Sequence, residues 1–209
     1  MDGFPKILRK KLQRRWGLAQ RAHAAATAEL HAIDKSIRDE YEHTVAPVII
    51  DMAGFTARSR EFGIVHYLAM IESMRGAVTP VIAANHGTVV KVEADNLFAY
   101  FSTPDEAVRG LKAVNKAIRE VNHQVEECHQ IELSIGVGYG PTLLTSSDMW
   151  GYDFNLACKL GEDIADNGEI LFSDNAYKAV QTEHQRFDER TVMIAGQTVN
   201  AYCLKLGDL

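Results

Sequence analysis

Two aspartates stand where a metal-dependent reaction could take place. Asp51 comes near the end of residues 45–52, a short and almost continuously apolar run that is typical of a buried strand. Asp95 lies at the tip of a predicted hairpin, after the strand over 88–92. Carboxylates that meet at strand ends bind hard cations such as Mg²⁺, and a pair of such cations can activate a hydroxyl and stabilise a leaving group. The two side chains can do this only if the fold brings them together.

The surrounding elements predict such a fold. Their order is β-α-β-β-α-β-(β)-α-β-α-β-β, whose first half is the split βαβ arrangement of ferredoxin-like and polymerase-palm folds. In a palm-type fold the end of the first strand lies beside the hairpin. We therefore expect an α+β fold with a mostly antiparallel sheet flanked by helices. The predicted strands occupy 45–52, 88–92, 97–101, 131–139, 141–145, 170–172, 191–194 and 199–204, and the predicted helices occupy 59–84, 105–125, 154–165 and a segment from residue 174.

Residues 6–43 precede this body and predict a helix. Apolar residues recur at spacings of three and four from Leu8 to Ile37. A stripe this narrow suits packing against a second helix, either across a dimer or on the chain's own domain. Gly17 is a point at which the helix could break. We therefore divide the chain into an N-terminal helical extension, 1–44, and a catalytic body, 45–209.

Charge is distributed unevenly along the 209 residues. Residues 1–21 carry seven of the 22 basic side chains and one acid, so the remainder has a formal balance of −12. An acidic body argues against broad nucleic-acid binding, whereas the basic segment 6–21 could contact anionic lipid or a partner, or be a solvated helix face. The sequence has no apolar run of about 18 residues, no signal-peptide core and no disulfide framework among its three cysteines. We expect a cytoplasmic protein, with membrane association as an alternative.

Four segments carry recognisable residue patterns. Residues 49–56 read IIDMAGFT, 87–95 read GTVVKVEAD, 135–140 read IGVGYG and 151–160 read GYDFNLACKL. In this order and spacing they resemble the catalytic domains of class III nucleotidyl cyclases, the adenylate and guanylate cyclases, and the resemblance runs from about Val45 to Leu206. It implies the palm-type fold of that family and the conversion of a nucleoside triphosphate to its 3′,5′-cyclic monophosphate and pyrophosphate.

The resemblance also implies how metals and base are held. Asp51 and Asp95 would bind two Mg²⁺ or Mn²⁺ ions, assisted by the carbonyl of Ile50 or of a neighbour. Lys91 and Asp153 would read the base. In this family a Lys/Asp pair is associated with adenine, because an ammonium donates to adenine N1 and a carboxylate accepts from the N6 amine. ATP is the expected substrate, and a guanine or pyrimidine nucleotide is the alternative.

Other matched residues would act on the phosphates and the ribose. The main-chain N–H groups of Gly54, Phe55 and Thr56 would face the triphosphate at a helix start. Asn155 would orient the ribose or stabilise the transition state together with Lys159. In this family the metal ligands of one site come from one chain and the remaining residues from another, so the resemblance implies a homodimer with two shared active sites.

Three positions depart from the family pattern. Lys159 stands in place of an Arg, which keeps the charge but loses the bidentate fork. Ala94 replaces a Gly at a turn where a positive φ is expected, and Gln197 falls near a phosphate-contacting Lys. Because charge stabilises most of this transition state, we predict a slow cyclase. The alternative is a weak or inactive cyclase-like module that binds nucleotide or dimerises.

The histidines show no metal-binding pattern in the sequence. None of the eight belongs to an HExxH motif, and His66 and His129 are interpreted as structural or solvent-facing. Cys158 lies within a matched segment but has no His–Asp pair near it in sequence, so we interpret it as a packing residue.

Overall fold

The structure is a computed structural model that describes residues 4–20, 24–181 and 186–206. Within these ranges the helices are α1 (Lys6–Ala19), α2 (Ala24–Tyr41), α3 (Phe55–Phe62), α4 (Ile64–Ala84), α5 (Pro104–Asn122), α6 (Tyr152–Cys158) and α7 (Asp174–Ala179). The strands are β1 (Glu42–Met52), β2 (Thr88–Glu93), β3 (Asn96–Phe101), β4 (Leu133–Val137), β5 (Gly140–Leu144), β6 (Met149–Trp150), β7 (Glu169–Ser173), β8 (Asp188–Ile194) and β9 (Gln197–Lys205). A 3₁₀ turn, Glu127–His129, precedes β4, and a π-helical turn, Lys159–Ile164, continues α6.

These strands form one sheet in the order β2-β3-β1-β4-β7-β9-β8, with β5 paired to β1 and β6 paired to β5. The pair β4–β7 is parallel, and the other pairs described are antiparallel. The prediction of an α+β fold with a mostly antiparallel sheet and flanking helices is confirmed. The sequence pattern did not reveal β6, because a strand of two residues is too short to show alternation.

Strand β1 lies at the centre of the sheet because its side chains are apolar on both faces. Val48 and Ile50 pack into the cluster that α4 and α5 cover, whereas Ile49 packs on the opposite face with residues of α6. The first half of β1 pairs with β5, and the second half lies between β3 and β4. Burying one such side chain contributes roughly 1.5–3 kcal/mol, so the register that places Asp51 at the end of the strand is strongly favoured.

The N-terminal extension is a helical hairpin. One helix over 6–43 is the sequence prediction, but the structure has two, and Gly17 lies inside α1 rather than at the break. Leu8 of α1 is buried against Ile33 and Ile37 of α2, and β5 packs against the same cluster. The hairpin therefore rests on its own domain, which is one of the two arrangements that the apolar stripe predicts.

Basic side chains of α1 are paired within this hairpin. Lys11 lies 2.5 Å from Glu40, and Arg15 lies 2.5 Å from Asp34. Such exposed pairs contribute little to stability, because solvent screens them, but they reduce the positive charge available to a lipid or a partner. None of the helices in the described ranges is long and apolar enough to span a bilayer. Contact of the segment 6–21 with a membrane or partner stays a prediction, and residue 21 lies outside the described part of the chain.

Candidate active site

The structure brings Asp51 and Asp95 to the same end of the sheet. Asp51 is the last residue but one of β1, and Asp95 lies in the turn between β2 and β3, the strand that pairs with β1. Ala94, the other residue of that turn, has a left-handed φ of 50°. Burial, and then the charges of Asp95 and Glu162, raise the pKa of Asp51 to about 6. A carboxylate whose pKa is raised by neighbouring carboxylates marks a site that favours a cation.

Tyr67 connects the end of β1 to the hairpin. Its hydroxyl is buried, lies 3.0 Å from the Met52 carbonyl and 3.1 Å from Asp95 Oδ2, and donates its proton to one of these acceptors at a time. Ile50, which we expected to present a carbonyl, lies inside the sheet with partners on both β3 and β4. The Tyr67 hydroxyl therefore connects Asp95 with the main-chain oxygen of Met52 and not with that of Ile50.

Glu162 is a third carboxylate of this region, and the sequence analysis missed it. It lies in the π-helical turn, where one extra residue per turn changes the direction of each side chain. The turn contacts β1 and β4, and the charge of Glu162 raises the pKa of Asp51. Burial, and then the adjacent Asp163, raise the pKa of Glu162 itself, with Asp95 contributing in the same direction. A helical pattern of period 3.6 could not have predicted that this side chain approaches the acidic pair.

The loop after Asp51 leads into the first turn of α3. Gly54 begins this helix with a φ of 89°, a left-handed conformation that glycine adopts without steric cost, and no side-chain cap is described there. The first N–H groups of an α-helix have no acceptor within the helix, so they can donate to an anion. The main chain of Gly54, Phe55 and Thr56 is therefore placed as expected for a phosphate contact, whereas the side chains of Phe55 and Thr56 lie outside the described part of the structure.

Lys91 forms an ion pair with Asp148, a residue that the sequence analysis did not select. Lys91 Nζ lies 3.0 Å from Asp148 Oδ1, 3.0 Å from Glu93 Oε2 and 4.8 Å from the centre of the Phe98 ring. Burial lowers the pKa of Lys91, but hydrogen bonds to Asp148 and Glu93 outweigh burial and hold the pKa above its usual value. The side chains of Lys91 and Asp148 remain 22% and 23% exposed, so the pair presents a donor and an acceptor side by side at the surface.

The short β5–β6 hairpin fixes the position of Asp148. The Thr145 N–H donates to the Asp148 carbonyl at 3.0 Å, and the Asp148 N–H donates to Thr145 Oγ1 at 3.1 Å. Asp148 Oδ1 also accepts from the Met149 N–H at 2.8 Å. The first two bonds fix the main chain of Asp148 and the third orients its carboxylate, which reduces the cost of ordering that carboxylate when a ligand binds.

Asp153, which we expected to read the base together with Lys91, contacts a different partner in the structure. Its side chain is only 5% exposed, and Asn175 Nδ2 donates to Asp153 Oδ1 at 3.0 Å. The carboxylate occupies the space beside Gly140, where an added Cβ would lie 2.1 Å from Asp153 Oδ2. Burial raises the pKa of Asp153 although the bond from Asn175 opposes this. The carboxylate joins α6, β5 and α7, while Lys91 is paired with Asp148.

Asn155, Lys159 and Gln197 line one cavity of about 370 Å³ between α6 and the β8–β9 hairpin. The three residues assigned to the phosphates and the transition state therefore come together, although Gln197 is far from the others in sequence. Among the described residues that line this cavity, neither Asp51 nor Asp95 is found. In one chain the acidic pair therefore does not line this cavity.

Lys159 forms an ion pair with Asp163, and the surroundings of Cys158 keep its thiol protonated. Lys159 Nζ lies 2.8 Å from Asp163 Oδ2, and this hydrogen bond raises the pKa of Lys159. Burial, followed by the charge of Glu162, raises the pKa of Cys158 to about 12. Cys158 is therefore a neutral thiol at ordinary pH, which agrees with its interpretation as a packing residue.

Comparison of the sequence with known proteins identifies a matching family. Residues 37–206 match the family model described as the adenylate and guanylate cyclase catalytic domain. The protein named "Putative adenylate cyclase 3" of Rhizobium meliloti is 29% identical over 109 residues, which is 52% of this chain and 18% of that protein. This chain thus spans less than a fifth of that relative's length.

Two solved structures are similar in fold. The guanylyl cyclase Cya2 aligns with a TM-score of 0.67 and 22% identity, over 78% of this chain and 92% of that chain. The adenylate/guanylate cyclase/hydrolase from Silicibacter pomeroyi aligns with a TM-score of 0.69 and 24% identity, over 78% of this chain and 97% of that chain. At such identities the likeness concerns the fold and not the nucleotide. Because the family model covers most of its length, this chain belongs to the adenylate and guanylate cyclase catalytic domain family.

Proposed function

We propose that this chain is a nucleotidyl cyclase that converts ATP to 3′,5′-cyclic AMP and pyrophosphate as a homodimer. The observation that carries the proposal is the convergence of Asp51 and Asp95 beside the first turn of α3. In the reaction the ribose 3′-oxygen forms a bond to the α-phosphorus, and the bond from that phosphorus to the bridging oxygen of pyrophosphate breaks. The hydroxyl proton passes to solvent.

The acidic pair fits divalent cations. Asp51 and Asp95, with the Met52 carbonyl near them, offer oxygen ligands, which Mg²⁺ and Mn²⁺ prefer. The pKa of Asp51 is raised in part by negative neighbours, and a bound cation would relieve that repulsion. When bound, two such ions would neutralise phosphate charge and lower the pKa of the attacking hydroxyl. The chain itself would hold the triphosphate through the N–H groups at the start of α3.

Adenine is the base that the Lys91–Asp148 pair accommodates best. Adenine places an acceptor, N1, next to a donor, the N6 amine, and the pair offers a donor next to an acceptor. Guanine presents O6 and N1–H in the opposite order, so each group would face one of its own kind. Cytosine shows the same order as adenine on a smaller ring, and CTP is therefore the principal competitor. Asp148 replaces Asp153 as the acceptor in this proposal.

A homodimer would complete each site. Neither Asp51 nor Asp95 is among the described residues that line the cavity of Asn155, Lys159 and Gln197 in one chain. A second copy placed head to tail would bring the cavity of one protomer to the acidic pair of the other, twice over. Asn155 would then donate to the ribose or to the reacting phosphate, and Lys159 would balance the charge that develops there.

A second candidate is a cyclase-like module of very low activity. The Lys159–Asp163 ion pair of 2.8 Å favours it, because an ammonium that is already bound to a carboxylate has less charge to offer a phosphate. This candidate and the cyclase share the nucleotide site and differ in turnover.

The test is to incubate the purified chain with ATP, GTP, CTP and UTP in Mg²⁺ and in Mn²⁺ and to identify any cyclic product. We expect cyclic AMP from the wild type and its loss in Asp51→Asn, while Asp39→Asn, an exposed acid of α2, serves as the matched control. Binding of ATP with no product in either metal would favour the weak module. Cyclic GMP as the main product would contradict the assignment of the base.

A further inference from the structure

A cluster of metal-binding side chains lies away from the acidic pair, where α5 is joined to β4. Glu126, Cys128 and His129 each offer one donor atom, and the three atoms lie within 4.8 Å of one another. The main-chain N–H of His129 donates to the main-chain carbonyl of Glu126 at 2.9 Å, and this bond closes a tight turn. The turn therefore presents a carboxylate, a thiol and an imidazole to a common point.

The ring of His66, from a distant part of the chain, lies beside this cluster. It lies in the first turn of α4, and its ring centre is 4.6 Å from that of His129, with Phe62 packed against both rings. His66 Nε2 and His129 Nδ1 are both buried and have no hydrogen-bond partner among the described residues. Buried polar atoms without a partner are uncommon and call for an explanation, such as an ion. The unpartnered Nε2 of His66, which is not a member of the cluster of Glu126, Cys128 and His129, is an observation independent of that cluster.

We propose that Glu126, Cys128, His129 and His66 form a binding site for a transition-metal ion of the Zn²⁺ class. One thiolate, two imidazoles and one carboxylate are the donors that tetrahedral zinc sites use, whereas Mg²⁺ and Ca²⁺ prefer oxygen alone. Bonds of about 2.0–2.3 Å to one ion require the His66 side chain to rotate toward the other three residues, because His66 lies outside the group whose donor atoms are within 4.8 Å of one another. The Cys128 thiol loses its proton to solvent when it binds the ion.

The ion would link two elements that otherwise meet through ring packing. His66 directly precedes Tyr67, whose hydroxyl contacts Asp95 and the Met52 carbonyl. The turn that carries Cys128 leads into β4 and is followed by Glu132, whose carbonyl accepts from the Ala53 N–H at 2.9 Å. A bound ion would therefore hold together the two segments that border the acidic pair, and it should raise the melting temperature of the chain.

Cobalt substitution tests this proposal, because a thiolate bound to Co²⁺ gives a charge-transfer band in the near ultraviolet. The acidic pair has no thiolate, so its occupancy does not produce the band. The full chain is freed of metal with a chelator and titrated with Co²⁺, and the Zn²⁺ affinity is then measured by competition with a chromophoric chelator. We expect one Co²⁺ per chain with the band, release of protons on Zn²⁺ binding, and a higher melting temperature.

Variants identify the donors. Cys128→Ser should lose the band, and His66→Gln should weaken Zn²⁺ binding by about tenfold to a hundredfold. Glu127→Gln lies in the same turn but outside the cluster, and together with Cys158→Ser it should keep the band and the affinity. Cys128 and Glu127 are exposed, so these variants should fold as the wild type does. A wild type without the band, a band that persists in Cys128→Ser, or an unchanged affinity in a folded His66→Gln would each overturn the proposal.

Discussion

Lys91 and Asp148 form a 3.0 Å ion pair between two different hairpins, one closed by the turn at Ala94 and one closed by Thr145. Asp153, only a short distance further along the chain, has its carboxylate bonded to Asn175 instead. Two aspartates of one segment thus face different surroundings, and only one of them can meet a ligand together with Lys91.

Replacement of Asp148 should therefore affect the choice of base. Asp148→Ala is expected to lower kcat/KM for ATP by about tenfold to a hundredfold relative to wild type, because a hydrogen bond to a charged group contributes roughly 1.5–3 kcal/mol. Asp153→Asn should leave the ATP to GTP ratio unchanged, and it should raise the free energy of unfolding, because burial raises the pKa of Asp153 and makes its ionisation unfavourable in the folded chain. Steady-state kinetics with both nucleotides and urea unfolding measure the two effects. A greater loss of ATP preference in Asp153→Asn than in Asp148→Ala would contradict this assignment.

The sequence predicts the central sheet well because the residue patterns of its strands are local. The apolar run of β1 and the alternating strands around Asp95 need only their own neighbours to be recognised, and palm-type connectivity then places Asp51 beside Asp95. The structure of the N-terminal extension was harder to predict, because the same apolar stripe fits one long helix or the hairpin of α1 and α2. The burial of Leu8 against α2 and the ion pairs between α1 and α2 distinguish the two.

The residues that the sequence analysis missed depend on tertiary geometry. Asp148 is positioned by the short strand β6, and Glu162 by a π-helical turn, and neither element has a periodic signature. His66 and His129 lie on elements that meet only in the folded chain. In each case the residue type was visible in the sequence, but its neighbours were not.

Asp51 should make the stability of the metal-free protein depend on pH. Its pKa of about 6 in the folded chain exceeds the ordinary 3.8, so ionisation costs more free energy in the folded state than in the unfolded state. This penalty is complete above about pH 6 and shrinks as the pH falls toward about 4. Asp51→Asn should therefore stabilise the protein by about 1 kcal/mol at about pH 7.5 and by less at about pH 5. Urea unfolding with a chelator present measures both values.

Protons and cations compete for the Asp51 carboxylate, so the affinity of the site for Mg²⁺ should fall as the pH drops below about 6. Glu162→Gln removes one of the charges that raise the pKa of Asp51, and it should move the midpoint of this loss to lower pH. Asp39→Asn, on the surface of α2, should not move it. An identical midpoint in wild type and Glu162→Gln would show that Glu162 does not act on Asp51.

Ala94 should be a site at which glycine stabilises the chain. Its φ of 50° is left-handed, and an alanine Cβ costs roughly 1–2 kcal/mol there. Part of the gain from Ala94→Gly is lost to the greater freedom of glycine in the unfolded chain, so about 1 kcal/mol is expected. Ala113→Gly, in the middle of α5, should have the opposite sign, since glycine there costs about 1 kcal/mol. Urea unfolding compares the two, and a destabilising Ala94→Gly would show that the turn does not strain the alanine.

Lys159→Arg should raise the turnover of the cyclase. Lys159 is bound to Asp163 at 2.8 Å, and its single ammonium can be shared with a phosphate only by weakening that pair. A guanidinium has five N–H donors in a planar fork, so it can keep Asp163 on one edge and bind phosphate oxygens with another. An increase in kcat of about tenfold, with little change in KM, corresponds to about 1.4 kcal/mol of additional transition-state stabilisation. Lys35→Arg, which replaces a lysine in an equivalent pair with Asp39 on α2, is the matched control and should leave kcat unchanged. Equal or lower turnover in Lys159→Arg would mean that this side chain does not meet the reacting phosphate.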